Sequence, residues 1–402
     1  MATVQHFMKH ILLILMVSSV LILVSVIYGR NKPFSNVFHT FNSNDNIARR
    51  AKTLNSERLK RARDYLESLK QEDQQLYSQS PELAIVIVTV NRRAYDSSRL
   101  GYVLQTVAAT HKLFVHDHAF PNKTMIICNV DLRPENFTEI AFLKHLIPTF
   151  ERYGQSTLPV SLNKSRNQLY GNHNYNSKYD KETVDYMYCL EAAYSIGAKY
   201  VLLMEDDALP RMDALDALKI KISYLNRKEN SRYSYIKLYY PQRWQGYAKE
   251  MYRILEIISV GCVGAGIVVF CHFMICHSRF YCIQLTYFLL GAWVFVTMSL
   301  IVGRQNVNDF YRISSYLYTL KNSPGCCTQA MLYTRRFIPA IIDFLSHKHK
   351  NLHTDLAIYN FTNVTRIPAY QIEPNLFFHV GMYTSLSTGK HKDAEEFIFD
   401  IL

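Results

Sequence analysis

The feature that most restricts the fold is a pair of apolar stretches joined by a very short link. They are residues 257–276 and 283–302, and only 277–282 lie between them. Each has the roughly 20 residues that a helix needs to cross a bilayer. So short a link predicts a helical hairpin, residues 254–302, that returns the chain to the side from which it came. The polar segments before and after it therefore share one compartment and can build one domain.

A third apolar stretch, residues 11–28, lies near the N-terminus. It is longer than the roughly 7–15 residues of a signal-peptide core, and no small-residue cleavage site follows it immediately. We therefore interpret it as an uncleaved signal anchor.

Two signals disagree about the direction of this anchor. Only Lys9 precedes it, whereas Arg30 and Lys32 follow it, which argues against a cytoplasmic N-terminus. Glycosylation sequons argue the opposite, because all five lie in the two polar segments. The sequon residues are Asn122, Asn136, Asn163, Asn360 and Asn363.

The net charge of +12 raises the question of nucleic acid binding. No zinc-finger spacing, RNA-binding aromatic motif or separate basic domain accompanies that charge, so we predict no nucleic acid partner. Many basic residues instead follow the first apolar stretch, at Arg49, Arg50, Lys52, Arg58, Lys60, Arg61 and Arg63. The lipid bilayer is the simpler partner.

The polar segments alternate between strand and helix patterns. A β-branched run such as LAIVIVTV suits a strand covered on both faces, as in a parallel sheet. The predicted strands are 83–90, 125–131, 199–204, 234–240 and 329–334. The predicted helices are 47–76, 102–115, 140–153, 182–196, 214–225 and 336–347, with another from Asp355. This alternation predicts an α/β fold with ligands beyond the carboxyl ends of the strands.

Three acidic residues, Glu205, Asp206 and Asp207, directly follow the strand 199–204. Carboxylate oxygens at that edge of a sheet suit Mg²⁺ or Mn²⁺. The alternative is an acidic turn before a helix, whose N-terminal end favours negative charge. Because the three residues follow a buried strand, we favour the metal site over the acidic turn.

Three other places offer suitable chemistry. His379 is a candidate metal ligand, although a lone histidine is more often a core or surface residue. Asp355 is a candidate general base, although a helix N-terminal acid is the more frequent role of such a residue. The strand end Val90, Asn91, Arg92 and Arg93 could hold a nucleotide base and diphosphate, although exposed arginines are usually only solvated.

Four of the eight cysteines, Cys128, Cys189, Cys326 and Cys327, lie in the polar segments. Their spacing is not that of a zinc site. In an oxidising compartment we expect Cys128 to pair with Cys189. The adjacent Cys326 and Cys327 are then either free, buried thiols or a vicinal disulfide.

Several segments together resemble the post-GPI-attachment N-acetylgalactosaminyltransferase family. They are DYMYCLEAAYSIGAKYVLLMEDDALP, SYIKLYYPQRWQ, the apolar hairpin, SPGCCTQAML and EPNLFFHVGMYTSL. The resemblance covers most of residues 83–390, in order, and includes the insertion of a membrane hairpin into a catalytic domain. The segment EPNLFFHVG is also similar to the N-acetylglucosaminyltransferase IV family.

The resemblance implies an α/β, GT-A-type glycosyltransferase in the Golgi membrane with its catalytic domain in the lumen. Its implied substrates are UDP-GalNAc and the first mannose of the GPI glycan on GPI-anchored proteins. Its implied cofactor is Mn²⁺ or another divalent metal. The expected segments are a cytoplasmic tail (1–10), a transmembrane anchor (11–28), a lumenal stem (29–82), catalytic parts (83–253 and 303–402) and the hairpin (254–302).

The resemblance also assigns residues. Glu205, Asp207 and His379 are the implied metal ligands. The implied donor-binding residues are Val90, Asp206, Asp207, Gln329, Ala330 and Asp355, and the position at the end of the first strand adds Asn91 and Arg92. Gln329 stands where the family is expected to have proline.

The implied mechanism is an inverting displacement with Asp355 as the base. Two alternatives stay open: another lumenal UDP-sugar transferase with a different acceptor, or a non-catalytic membrane protein that binds glycan or lipid. Oligomeric state is not predicted.

Overall fold

The computed structural model describes residues 2–69, 78, 80–92, 100–175, 177–276, 281–348, 352–384 and 393–399. The chain forms two compact units. One contains Pro241–Ile313 and the N-terminal residues up to Arg50, and the other contains Ala51–Tyr240 and Ser314–Leu402. Most of the link predicted between the hairpin helices, 277–282, lies outside the described residues.

Helices occur in both units. In chain order they are α1 (Ala2–Gly29), α2 (Phe38–Phe41), α3 (Asn44–Ser68), α4 (Tyr102–His116), α5 (Thr138–Leu143), α6 (Asn167–Tyr170), α7 (Lys178–Ser195), α8 (Ala214–Lys228), α9 (Met251–Cys276), α10 (Tyr281–Val302), α11 (Arg304–Val307), α12 (Ile338–Lys348) and α13 (Thr354–Thr365).

In the unit that contains Pro241–Ile313, two helices are long and apolar enough to cross a membrane. These spans are Met251–Met274 in α9 and Gln284–Val302 in α10. Glycines let the two helices approach closely, since a Cβ at Gly264 would lie 2.1 Å from the Phe295 ring. The N-terminal stretch has a shorter apolar portion, Leu15–Gly29, so the anchor stays a prediction.

The other unit is built on a mixed sheet of eight strands. They are β1 (Leu83–Thr89), β2 (Lys123–Asn129), β3 (Thr149–Glu151), β4 (Tyr200–Glu205), β6 (Tyr235–Lys237), β7 (Thr319–Asn322), β8 (Ala330–Thr334) and β9 (Tyr370–Glu373), and a separate pair is formed by β5 (Ala208–Pro210) and β10 (Phe377–His379). The order is β3-β2-β1-β4-β8-β6-β9-β7. The pairs β2–β3, β1–β2, β1–β4 and β6–β9 are parallel, and the others are antiparallel.

Both faces of the sheet are buried around β1. Along β1, Leu83, Ile85 and Ile87 point into one apolar core, whereas Ala84 and Val86 point into another. Successive side chains of a strand point to opposite faces, so burial on both sides requires the continuous apolar run seen in the sequence. The predicted α/β class is confirmed.

One predicted helix, 140–153, is wrong. Helix α5 ends at Leu143, and Thr149–Glu151 form strand β3 beside β2. Pro148 explains the change, because proline has no N–H to donate and disfavours helical backbone at the residue before it.

The helix of the predicted stem packs on the sheet unit over its second half. Leu59, Ala62 and Leu66 of α3 are buried in the core that also holds Leu83. Their spacing of three and four residues forms one apolar face. This part of the chain, predicted as stem, therefore belongs to the packed domain.

The sheet unit contains two disulfides and the five glycosylation sequons. Cys128 of β2 and Cys189 of α7 form a disulfide with a Cα–Cα distance of 5.8 Å. Cys326 and Cys327 are joined to each other. All five sequon asparagines are exposed, at Asn122, Asn136, Asn163, Asn360 and Asn363.

Candidate active site

A cavity of about 390 Å³ lies where β1 and β4 end and β8 begins. Because β8 runs antiparallel to β4, its first residue pairs with the end of β4, so all three strands meet at one sheet edge. The N-terminal turns of α7 and α13 contribute further polar groups to the lining. The cavity therefore occupies the position where α/β sheets bind ligands.

Asp206 is buried beneath the cavity among polar partners. Thr89, the last residue of β1, donates to its Oδ2 at 2.6 Å, and Arg92 donates to its Oδ1 at 2.7 Å. Burial raises the pKa of Asp206, the Arg92 guanidinium opposes that rise, and Asp207 adds to it. Thr106 of α4 also donates to the Asp206 carbonyl at 2.7 Å. Asp206 thus orders the turn that presents Asp207.

Arg92 joins the two aspartates. Its second terminal nitrogen lies 2.8 Å from Asp207 Oδ2, and its Nε donates to the Tyr383 carbonyl at 3.2 Å. Its side chain is only 9% exposed. Burial lowers the pKa of Arg92, but the charges of Asp206 and Asp207 outweigh burial and raise it. Arg92 is therefore a fixed positive charge at the cavity.

Asp207 and His379 lie side by side. Ala208 pairs with His379 in the small β5–β10 sheet, and the Val380 N–H donates to the Asp207 carbonyl at 2.8 Å. The result is a distance of 3.4 Å between His379 Nε2 and Asp207 Oδ2. Two ligands of one octahedral ion lie about 3 Å apart. An oxygen and an imidazole nitrogen are ligand types that Mn²⁺ accepts, and the same Asp207 oxygen also accepts a hydrogen bond from Arg92.

Gly381 makes this arrangement possible. A Cβ at that position would lie 1.9 Å from Asp207 Oδ2 and 2.8 Å from His379 Nε2. Any side chain would therefore occupy the space between the two ligand atoms.

Glu205, the third predicted metal ligand, has a different partner. Its Oε1 accepts a hydrogen bond of 2.8 Å from Thr328. The structure therefore brings together Asp207 and His379, and binds Glu205 to the segment before β8.

Asp355 also lines the cavity, at the start of α13. The Cys327 N–H donates to its Oδ2 at 2.7 Å, and the Leu356 N–H donates to its Oδ1 at 2.7 Å. Within the described residues, Asp355, Cys326 and Cys327 are the one trio of histidine, cysteine or acidic groups close enough to share an ion. Both sulfurs are held in a disulfide, so we do not assign a metal to them.

Lys237 supports the loop that carries the two cysteines. Its buried ammonium donates to the Pro324 carbonyl at 2.9 Å and to the Cys326 carbonyl. Burial lowers the pKa of Lys237 to about 7, although the charge of Asp355 opposes that effect. The loop is thereby fixed against the end of β6.

Some of the predicted donor-binding residues line the cavity and others do not. Val90 and Gln329 line the cavity, and the buried Oε1 of Gln329 accepts no hydrogen bond from any described residue. Asn91 and Ala330 are not part of the lining: the Asn91 N–H donates to Asp131 at 3.1 Å, and Ala330 is buried in the core.

Sequence reasoning missed the contribution of α7. Lys178, Lys181, Glu182 and Asp185 all line the cavity. Their spacing of three, four and seven residues places them on one helix face, so a charged stripe at the start of α7 was the available signal.

A buried aspartate pair, an arginine and an imidazole line a cavity at the carboxyl ends of sheet strands, which is where α/β enzymes bind their ligands. A family model described as GPI-N-acetylgalactosamine transferase PGAP4 matches residues 83–378, about three quarters of the chain. The chain belongs to this family of glycosyltransferases, as the resemblance predicted, and such a family implies a nucleotide-sugar donor and GPI-anchored acceptors.

Proposed function

We propose that the protein transfers N-acetylgalactosamine from UDP-GalNAc, in β linkage, to the first mannose of the GPI glycan. The proposed reaction is metal-dependent and inverting, and it takes place in the Golgi lumen. The observation that carries the proposal is the Asp207–His379 pair beside Arg92, within a chain of the GPI-N-acetylgalactosamine transferase family.

We assign the donor diphosphate to the part of the cavity around Asp207 and His379. Asp207 and His379 would hold the metal, which when bound offsets the negative charge that develops on the leaving diphosphate. Arg92 adds a fixed positive charge, and Thr89 with Asp206 keeps the turn in place. Val90 and Gln329 lie at the cavity wall where the nucleotide and sugar would pack. GT-A architecture is part of this proposal.

We assign the part of the cavity around Asp355 to the acceptor. An α-linked UDP-sugar becomes a β-glycoside in one displacement, so the acceptor hydroxyl attacks from the side opposite the diphosphate. A carboxylate must take the proton of that hydroxyl. Asp355, the predicted base, lies here, and Glu182 lies beside it.

A transfer assay tests the proposal. Purified full-length protein is given a panel of UDP-sugars and a GPI-glycan acceptor, with and without Mn²⁺. We expect Mn²⁺-dependent transfer of N-acetylgalactosamine that Asp207→Ala abolishes. Asp216→Ala, which changes an exposed aspartate of α8, is the matched control and should stay active.

The other outcomes are equally informative. Hydrolysis of a UDP-sugar without transfer means that the assigned acceptor is wrong. Failure to bind or hydrolyse any UDP-sugar favours a non-catalytic glycan- or lipid-binding protein.

A further inference from the structure

Two carboxyl groups that line the cavity, those of Asp355 and Glu182, lie close enough to interact, and their hydrogen bonds differ. Each oxygen of Asp355 accepts a backbone N–H at 2.7 Å, one from Cys327 and one from Leu356. Each of these bonds occupies one of the two lone pairs on its oxygen. They also tie the disulfide loop to the start of α13, which is a structural task.

Glu182 is differently placed. It lies in the second turn of α7 and lines the cavity, and its buried Oε2 accepts no hydrogen bond from any described residue. A buried carboxyl oxygen without a partner costs free energy, so its persistence at a substrate cavity points to a role with the substrate.

The surroundings of Glu182 favour proton transfer near neutral pH. Burial raises the pKa of Glu182 to about 7, the charges of Asp355 and then Asp185 add to that rise, and hydrogen bonding with Thr354 opposes it. Lys178, Lys181, Tyr186, Glu205 and His353 are further charged or titratable groups of the lining. Lys237 also interacts with Asp355. A general base is most effective when its pKa lies close to the working pH.

We propose that Glu182, and not Asp355, takes the proton of the acceptor hydroxyl. This inference rests on the proposed function. The hydroxyl oxygen forms a bond to the anomeric carbon, and the bond between that carbon and the diphosphate oxygen breaks. The bonding electrons leave with UDP, the proton moves to the Glu182 carboxylate, and solvent later removes it. Asp355 is a positioning residue that holds the Cys327 loop and whose negative charge keeps Glu182 basic.

The expected pH dependence has a definite sign. Only the ionised carboxyl accepts a proton, and its fraction rises as pH rises through about 7. The kcat/KM for transfer should therefore increase from pH 5 to pH 8 along an acidic limb. Removal of the Asp355 charge should lower the pKa of Glu182 and move that limb to lower pH.

Three variants of the full-length protein test the assignment: Glu182→Gln, Asp355→Asn and the control Glu67→Gln on the exposed face of α3. For each, kcat/KM for transfer from UDP-GalNAc is measured from pH 5 to pH 8.5, with Mn²⁺-dependent UDP binding and the melting temperature. We expect Glu182→Gln to lose about 10²–10⁴-fold in kcat/KM while it binds UDP and melts like the wild type. Asp355→Asn should retain transfer, with its acidic limb at lower pH, and the control should match the wild type.

Other results overturn the proposal. Wild-type transfer by Glu182→Gln would exclude Glu182 as the proton acceptor, as would complete loss of transfer in an Asp355→Asn variant that melts and binds UDP like the wild type. The Asp355→Asn profile leaves Glu182 intact, so it decides the question even if Glu182→Gln does not fold. Lack of transfer by the wild type itself would refute the proposed function, and this inference with it.

Discussion

Gly381 shows how one residue without a side chain shapes the site. Its missing Cβ leaves room for Asp207 Oδ2 and His379 Nε2, from which a Cβ would lie 1.9 and 2.8 Å away. We expect Gly381→Ala to push these two groups apart and to weaken Mn²⁺-dependent UDP binding at least 10-fold. Isothermal titration of UDP in the presence of Mn²⁺ measures the effect.

Gly266→Ala is the matched control for that substitution. No heavy atom lies within 4 Å of the Cβ that it would add, so binding should be unchanged. Wild-type UDP affinity in Gly381→Ala would show that the Asp207–His379 pair does not bind the metal–diphosphate complex.

Arg92 balances two buried carboxylates, so its replacement should affect stability as well as donor binding. Arg92→Met leaves Asp206 and Asp207 without the guanidinium that lies 2.7 and 2.8 Å from them. Breaking a buried ion pair in this way costs about 3–5 kcal/mol. We expect a clearly lower melting temperature in a thermal shift assay at pH 7.

Arg211→Met provides the comparison for Arg92→Met. Arg211 pairs with Asp213, but both side chains are more than a quarter exposed, and exposed pairs contribute only about 0–1 kcal/mol. If the two variants melted at the same temperature, the Arg92 cluster would not be a stabilising element.

Much of the candidate site could be inferred at the level of single residues, because strand ends are visible in the sequence. An apolar run that stops at Glu205, and another that stops near Val90, identify the sheet edge. The closeness of Glu182 to Asp355 could not be inferred, because it depends on how α7 and α13 pack against each other.

The length and burial of an element decided how well it could be predicted. The predicted strands 83–90 and 199–204 agree with β1 and β4 to within one residue, since a strand buried on both faces must be apolar throughout. The predicted strand 234–240 shortens to three residues in β6. Local patterns did not predict β3, because a three-residue edge strand carries almost no periodicity.

A disulfide links two of these elements, β2 and α7, across a sequence separation of 61 residues. Closing a loop of that length in the unfolded chain stabilises the fold by about 4 kcal/mol on the chain-entropy model. We therefore expect the double substitution Cys128→Ala and Cys189→Ala to lower the melting temperature clearly under non-reducing conditions.

Cys271→Ala is the control for the disulfide variant, because Cys271 is an exposed free thiol in α9. It should melt like the wild type. An unchanged melting temperature for the double variant would mean that the disulfide adds nothing to the stability of the sheet unit.

At the scale of the whole molecule, the sheet tests the prediction that the segments before and after the hairpin lie on the same side of the membrane. Strand β8 follows the two apolar helices in the chain, yet it lies between β4 and β6, which precede them. Strands of one sheet must share one compartment. If α9 crosses the membrane, α10 must therefore cross it back.

Glycosylation can test whether the two segments lie on the same side of the membrane, and which side that is. Asn122 precedes the two helices and Asn360 follows them, and both are exposed. Two variants, each retaining only one of these sequons through Asn→Gln changes at the other four, are expressed in cells and treated with peptide N-glycosidase. We expect both to shift in mobility, because both segments should face the lumen. A shift in only one variant would contradict the prediction that both segments lie on the same side. A shift in neither would place the sheet unit on the cytoplasmic side, where its proposed acceptor is absent.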